Sequence, residues 1–386
     1  MPVKKRVVKA GGASASSAAS GGSNIKKRTL PKQDILTKEG SELSDLIGKI
    51  KASGDYGDSF YMASNNRFQA PRLLTGVLGI DLPLGGGWTM GRAGMLYGER
   101  SSGKSTTSLI AIAALHRQHD QAVAAYVDLE GTFDRAWARK LGVDLDRLVI
   151  IEPEGGEHAV DLTDAILRVK EVSMCVTDSI AMLVPMKEVE ASSSQEFMGL
   201  QARLIGKFVR RVNQAMVYER KRDHYVSLIH LNQFRMKVGL VFGDPRTLPG
   251  GKALEYSTSQ QIEVKNKEHM GKDEQKEEVV FYNEHSLKIT KNKTGGPLKE
   301  SLFRLVRTPH DGMSEGWVDQ AKAFHSTGTK IGLVDGPAQA FTVEGIKHKF
   351  RGAKDFNAWA QENQEVYFDA CGKIVEGYRN KWGLEG

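Results

Sequence analysis

At 386 residues with 40% hydrophobic side chains, the chain is long enough for two or three domains with real cores. No run approaches the roughly 18 to 20 apolar residues of a membrane span and no apolar leader is present; two cysteines, Cys175 and Cys371, cannot build a disulfide framework or zinc cluster. A soluble protein of a reducing, intracellular compartment is expected. The charge of +7 is local: residues 1–32 hold eight Lys or Arg and no acid, so everything after Lys32 nets to −1 and any polyanion-binding surface must be a patch.

Residues 1–33 place a Gly/Ala/Ser centre between two basic clusters, a composition that cannot offset chain entropy by burial, and a disordered tail is expected there. Leu43, Leu46, Ile47 and Ile50 stand at helical spacing, so a short amphipathic helix opens the ordered chain within an N-terminal segment, 34–74. From 75 to about 310, "AGMLYG", "QAVAAYVDLE", "VSMCVTDS" and "YVSLIHLNQ" are continuously apolar and alternate with helical stretches such as "STTSLIAIAALHRQH". That pattern predicts an α/β fold with a mainly parallel, twisted, doubly wound sheet covered by helices, its site beyond the carboxyl ends of the strands. Residues 311–386 read as mostly helical and as a small C-terminal domain.

The chemistry concentrates at four places. "GERSSGKST", Gly98 to Thr106, has the spacing of a phosphate-binding loop. Glycines let backbone N–H groups turn onto phosphate oxygens, Lys104 adds a point charge, and the Ser105 hydroxyl suits Mg²⁺. Asp178 closes an apolar strand, where a carboxylate positions a metal's water shell or caps the next helix. Asp128 and Glu130 lie two apart on one strand face; one of them, with Glu130 at the tip favoured, is placed to activate a water. Gln233 ends the strand "VSLIHLNQ", where an amide can sense a terminal phosphate. Beyond it, "FRMKVGLVFGDPRTLPGGKAL" mixes bare apolar residues, cations and glycines in a pattern that fits neither helix nor strand, as a functional loop does.

Several motifs together resemble the RecA family of homologous-recombination proteins over about residues 43–310: "GVLGIDLPLGGGWTMGRAGMLYGERSSGKST", "DLEGTFDRAWARKLGVD", "VTDSIAMLVPMKEVE", "FMGLQARLIGKFVRRV", "NQFRMKVGLVFGDPRTLPGGKAL" and "KNKTGGPLKE". The resemblance implies an ATP-dependent recombinase that forms helical filaments on single-stranded DNA and pairs it with homologous double-stranded DNA, in the cytoplasm of a bacterial or phage-infected cell. It implies that Gly98, Ser101, Ser102, Gly103, Lys104, Ser105 and Thr106 cradle ATP, that Ser105 and Asp178 serve Mg²⁺, that Glu130 activates water, and that Gln233 reports the γ-phosphate. Trp137 would stack on adenine and Asp134 touch the base edge, while Lys291 and Lys293 would reach the ATP of a neighbouring protomer. Two loops, about 190–197 and 235–251, with their flanks would hold DNA through Met198, Arg203, Arg210, Arg211, Arg235, Lys237, Val238, Gly250, Gly251 and Lys252. Departures from the family pattern, Glu99 and Arg100 in the phosphate loop and Glu255 and Tyr256 at a subunit contact, suggest a divergent, phage-type branch.

Overall fold

The computed structural model describes residues 42–52, 70–190, 199–236 and 246–384, in two compact units, residues 1–63 and 64–386. The first unit shows one helix, α1 (Glu42–Ala52), at the predicted position. The basic tail, and the rest of the 34–74 segment up to residue 69, lie outside the described residues.

The second unit is built on a nine-stranded sheet: β1 (Ala93–Gly98), β2 (Val123–Asp128), β3 (Leu148–Ile151), β4 (Val172–Asp178), β5 (Ser227–Gln233), β6 (Gln260–Lys272), β7 (Glu278–Asn292), β8 (Glu300–Val306) and β9 (Val318–Asp319). Their order is β9-β8-β7-β6-β1-β5-β4-β2-β3. From β6 to β3 every pairing is parallel; from β6 to β9 every pairing is antiparallel. The four strands read from sequence are β1, β2, β4 and β5. Their apolar runs are continuous because both faces are covered. Leu96, Tyr126, Val176 and Ile229 enter one core with Leu109, Ile112 and Leu115 of helix α3 (Lys104–Gln118). Met95, Tyr97, Ala125, Val127 and Cys175 enter the other, against α5 (Gly156–Ile166) and α7 (Leu200–Arg220). α7 buries Leu204, Ile205, Phe208, Val209, Val212, Ala215 and Met216, one stripe at helical period.

A third core gathers Phe324, Phe341, Phe350, Phe356 and Tyr367, with Leu78 and Leu82 from α2 (Leu78–Leu84). It holds helices Ala321–Ile331, Ala353–Glu362 and Gln364–Lys381, and also a three-stranded antiparallel sheet, Val334–Asp335, Phe341–Val343 and Ile346–Phe350, absent from the mostly helical expectation. Its hairpin turns at Glu344 and Gly345, with Gly345 at φ 79°, a conformation that favours glycine.

Candidate functional site

Four strand ends carry the predicted chemistry to one edge of the sheet. β1 ends at Gly98, β2 at Asp128, β4 at Asp178 and β5 at Gln233; Gly98 is in register with Gln233, and Asp128 with Asp178. Parallel strands bring their carboxyl ends to one side, so residues more than a hundred positions apart in sequence line a single crevice.

Residues 99–103 form the loop between β1 and α3. Ser101 and Gly103 both have positive φ, 55° and 93°, the alternation that turns successive N–H groups toward one point. The Lys104 ammonium folds onto the loop itself, donating to Glu99 O at 2.7 Å and to Gly98 O and Ser102 Oγ at 3.4 Å. Burial lowers its pKa, while the carboxylates of Asp178, Glu130 and Glu99 act the other way. Ser105 Oγ donates to Asp178 Oδ2 at 2.7 Å, and the buried Tyr126 hydroxyl donates to the same oxygen. Burial raises the Asp178 pKa, the two hydroxyl donors oppose that, and the nearby Glu130 and Asp128 add to it. Ser105 and Asp178 together offer hard oxygens, the donor type that Mg²⁺ takes, so the residues present fit that ion.

The two acids after β2 separate by environment. The strand stops at Asp128, whose buried carboxylate accepts the backbone N–H groups of Glu130, Gly131 and Phe133 at 2.8–3.1 Å. Glu130 thus lies in a turn and not on a continuing strand face. It is exposed, and Ser179 Oγ donates to its Oε1 at 2.7 Å. Asp128 is occupied in holding the turn; Glu130 is the acid open to solvent.

Asp134 caps α4 (Arg135–Lys140), accepting the Trp137 N–H at 2.9 Å. The Trp137 indole donates to Thr106 Oγ1 at 3.1 Å, which fixes the ring beside the start of α3. The Arg307 guanidinium lies 4.9 Å from the Trp137 ring centroid, a neighbour that the sequence reading missed because Arg307 follows β8, remote in the chain. Lys291 and Lys293 stand away from this crevice. Lys291 is in register with Gln261, itself paired with Met95 toward the amino-terminal end of β1, and its ammonium donates to Glu255 O; Lys293 N–H donates to Ser259 O at 2.9 Å.

The puzzling loop leaves directly from Gln233. Its ends pair as a short antiparallel ladder, Arg235–Met236 with Arg246–Thr247, and Asn232 Nδ2 donates to Pro249 O at 3.0 Å, closing the stem. Arg235 donates to Ala181 O at 2.7 Å and to Gln201 Oε1 at 3.2 Å. Gly250 has φ 91° and packs so close to Ile205 that a Cβ would approach to 2.9 Å; Gly251 and the exposed Lys252 begin the short helix α8 (Gly251–Ser257). On α7, Arg203 and Arg210 are exposed on one face, with Lys207, which the sequence reading passed over, between them. Arg211 is placed differently: it pairs with Asp161 at 2.7 Å and Asp164 at 3.2 Å. Met198, Lys237 and Val238, and residues 191–197 of the first loop, lie outside the described residues. Among the described residues no helix is long and apolar enough to cross a membrane.

Comparison with known proteins gives one consistent result. A sequence model of the RecA N-terminal domain matches residues 42–311. Protein RecA of Ruegeria pomeroyi is 35% identical over 361 residues, 93% of this chain and 95% of that protein. Protein RecA of Desulforapulum autotrophicum is 31% identical, covering 88% of this chain and 93% of its own, and that of Pseudomonas putida is 33% identical, covering 78% and 85%.

Proposed function

The chain belongs to the RecA family of ATP-dependent DNA recombinases, and on that premise we propose which of its residues do the work. ATP lies with its phosphates against residues 98–106 and its base on Trp137, with Asp134 at the base edge. Lys104 leaves the loop carbonyls it now contacts and turns to the β- and γ-phosphates. Ser105 and Asp178 would hold Mg²⁺, which would supply positive charge against the phosphates. Glu130 orients the attacking water and takes its proton, and Gln233 donates to the γ-phosphate until that phosphate leaves.

The observation that carries this reading is the convergence of Ser105 on Asp178 at 2.7 Å, with Gln233 in register with Gly98 and continuous with the loop stem. On this reading a nucleotide at the crevice touches Gln233, the same residue that begins the segment proposed to grip DNA. Arg203, Arg210 and Arg235 supply charge to phosphates, and Met198 and Val238 wedge between bases of an extended single strand. Homology is then tested by base pairing against duplex DNA. Lys291 and Lys293, at strand positions away from their own crevice, complete the ATP site of the next protomer in a filament. Residues 75–310 form the ATPase core, 34–74 a subunit contact, and 311–386 a small C-terminal domain, in a protein of the bacterial or phage-infected cytoplasm.

The test is ATP turnover by the full chain with Mg²⁺, with and without an unpaired oligonucleotide. Turnover should rise when the oligonucleotide is present and filaments should be visible by electron microscopy. Unchanged turnover, with no assembly on the oligonucleotide, would reject the proposal.

A further inference from the structure

The phosphate loop does not stand alone: it rests on the β6–β7 hairpin. His285 of β7 is buried, 2% exposed, and its Nδ1 lies 3.1 Å from Ser102 O. A carbonyl only accepts, so Nδ1 carries the proton and donates, and the ring is the neutral Nδ1–H tautomer. The ring also fills the space behind Gly103: a Cβ built there would sit 2.3 Å from His285 Cε1. Phe303 of β8 backs the imidazole, with ring centroids 4.8 Å apart. Asn266, directly opposite His285 in the hairpin register, has its Nδ2 3.5 Å from Ser101 O. Two cross-strand partners thus face the carbonyls of two consecutive loop residues. Burial holds the imidazole neutral, pushing its pKa down to about 4.

A loop that aims its N–H groups at an anion must turn its carbonyls the other way, and a buried carbonyl left without a donor is costly. We propose that His285 is a positioning residue for ATP binding: its Nδ1–H satisfies Ser102 O from behind and so holds the Ser101–Gly103 turn with its N–H groups toward the phosphates. This deepens the nucleotide-site reading above and rests on it. The role is one of hydrogen bonding and not of bulk, which makes it separable by substitution. His285→Phe keeps a flat ring but removes the donor. His285→Asn shrinks the side chain but can place an amide N–H close to where Nδ1 sits.

The experiment titrates the full-length wild type and both variants with a nonhydrolysable ATP analogue plus Mg²⁺, and separately with tripolyphosphate. Thermal melting and steady-state ATPase are measured alongside. His285→Phe should lose about tenfold in affinity for both ligands, with KM for ATP rising in step and kcat held within about twofold; His285→Asn should stay within about threefold of wild type. If the ring acts only as packing, the order reverses: Phe binds like wild type and Asn loses affinity, and the proposal falls. Should Phe fail to fold, Asn still decides, because a folded Asn variant that binds about tenfold weaker overturns the donor role. Lys104→Ala separates the two levels. If it binds the analogue as well as wild type does, the nucleotide-site assignment fails, whatever the His285 variants show.

Discussion

The crevice around Ser105 and the basic face of α7 serve one proposed reaction, yet they are built on different principles. In the crevice, functional groups are tied down from several strands: Asp178 by Ser105 and Tyr126, Glu130 by Ser179, Asp128 by three backbone N–H groups, Trp137 by Thr106. On α7, Arg203, Lys207 and Arg210 are exposed and have no ion-pair partner among the described residues. A phosphoryl-transfer site gains from geometry fixed before the substrate arrives, while a channel for a polymer of any sequence needs only charge that can follow the backbone. Substitutions in the first region should therefore act through one step of the reaction; those in the second should act gradually and through salt.

The largest effect that this contrast predicts is at Glu130. Glu130→Ala should lower kcat by roughly a hundredfold to ten-thousandfold while leaving ATP-analogue and oligonucleotide binding near wild type. The backbone of the turn is held by Asp128, and Glu130 contributes the one hydrogen bond it accepts from Ser179, so melting should move only slightly. Turnover at the wild-type rate would remove Glu130 from the water-activating role and break the separation of the two acids.

Acid should expose the cost of a rigid, buried frame. His285 and His230 are buried neutral, with pKa values pushed down to about 4 and about 3 by burial. In the unfolded chain each titrates near 6.5, so below that value the unfolded state binds more protons than the folded one. The stability they contribute is complete above about 6.5 and is lost as pH falls toward 4 for His285 and toward 3 for His230. Melting temperature should fall steadily below about pH 6, and less steeply in His285→Asn. An equal slope in that variant would mean that His285 does not titrate with folding.

The difference between the two regions also marks what was legible in the sequence. β1, β2, β4 and β5 could be read because a strand covered on both faces is an uninterrupted apolar run. The β6–β7 hairpin could not: beyond Val264 it runs through Lys265, Asn266, Lys267, Glu268 and His269, and its outer part is held by pairing rather than by two-sided burial. His285 was hidden for the same reason, as one polar residue among others until the loop is seen resting on it. Lys104, Ser105, Asp178 and Gln233 could be singled out as candidates because phosphate chemistry calls for particular side chains at particular strand ends, and the fold brings these positions to one edge of the sheet. Glu130 was already favoured over Asp128, but the shared strand face expected for the two acids was not found, since β2 stops at Asp128. The C-terminal hairpin had a signal, Glu344–Gly345 between Val343 and Ile346, but it was outweighed by the helical periodicity that follows.

On the basic face, Arg203→Ala and Arg210→Ala should each weaken oligonucleotide binding and reduce the slope of log affinity against log salt by about 0.7, the value for one phosphate contact on a single strand. Lys207→Ala should do the same if the whole exposed face tracks the backbone. A salt slope unchanged in all three would take α7 out of the DNA path.

The smallest effect is at Arg211, where the comparison becomes sharpest. It follows Arg210 directly and carries the same charge, but it is oriented toward α5 and already balanced by Asp161 and Asp164. Freeing it for a phosphate would mean breaking both ion pairs and leaving Asp164, which is also paired with Arg168 at 2.9 Å, short of one partner. Arg211→Ala should thus leave the salt slope where it is and cost at most about 1 kcal/mol in stability, as expected of partly exposed ion pairs. If it instead lowers the slope as much as Arg210→Ala does, the ion pairs open on DNA, and the line between fixed and available charge on this helix has to be redrawn.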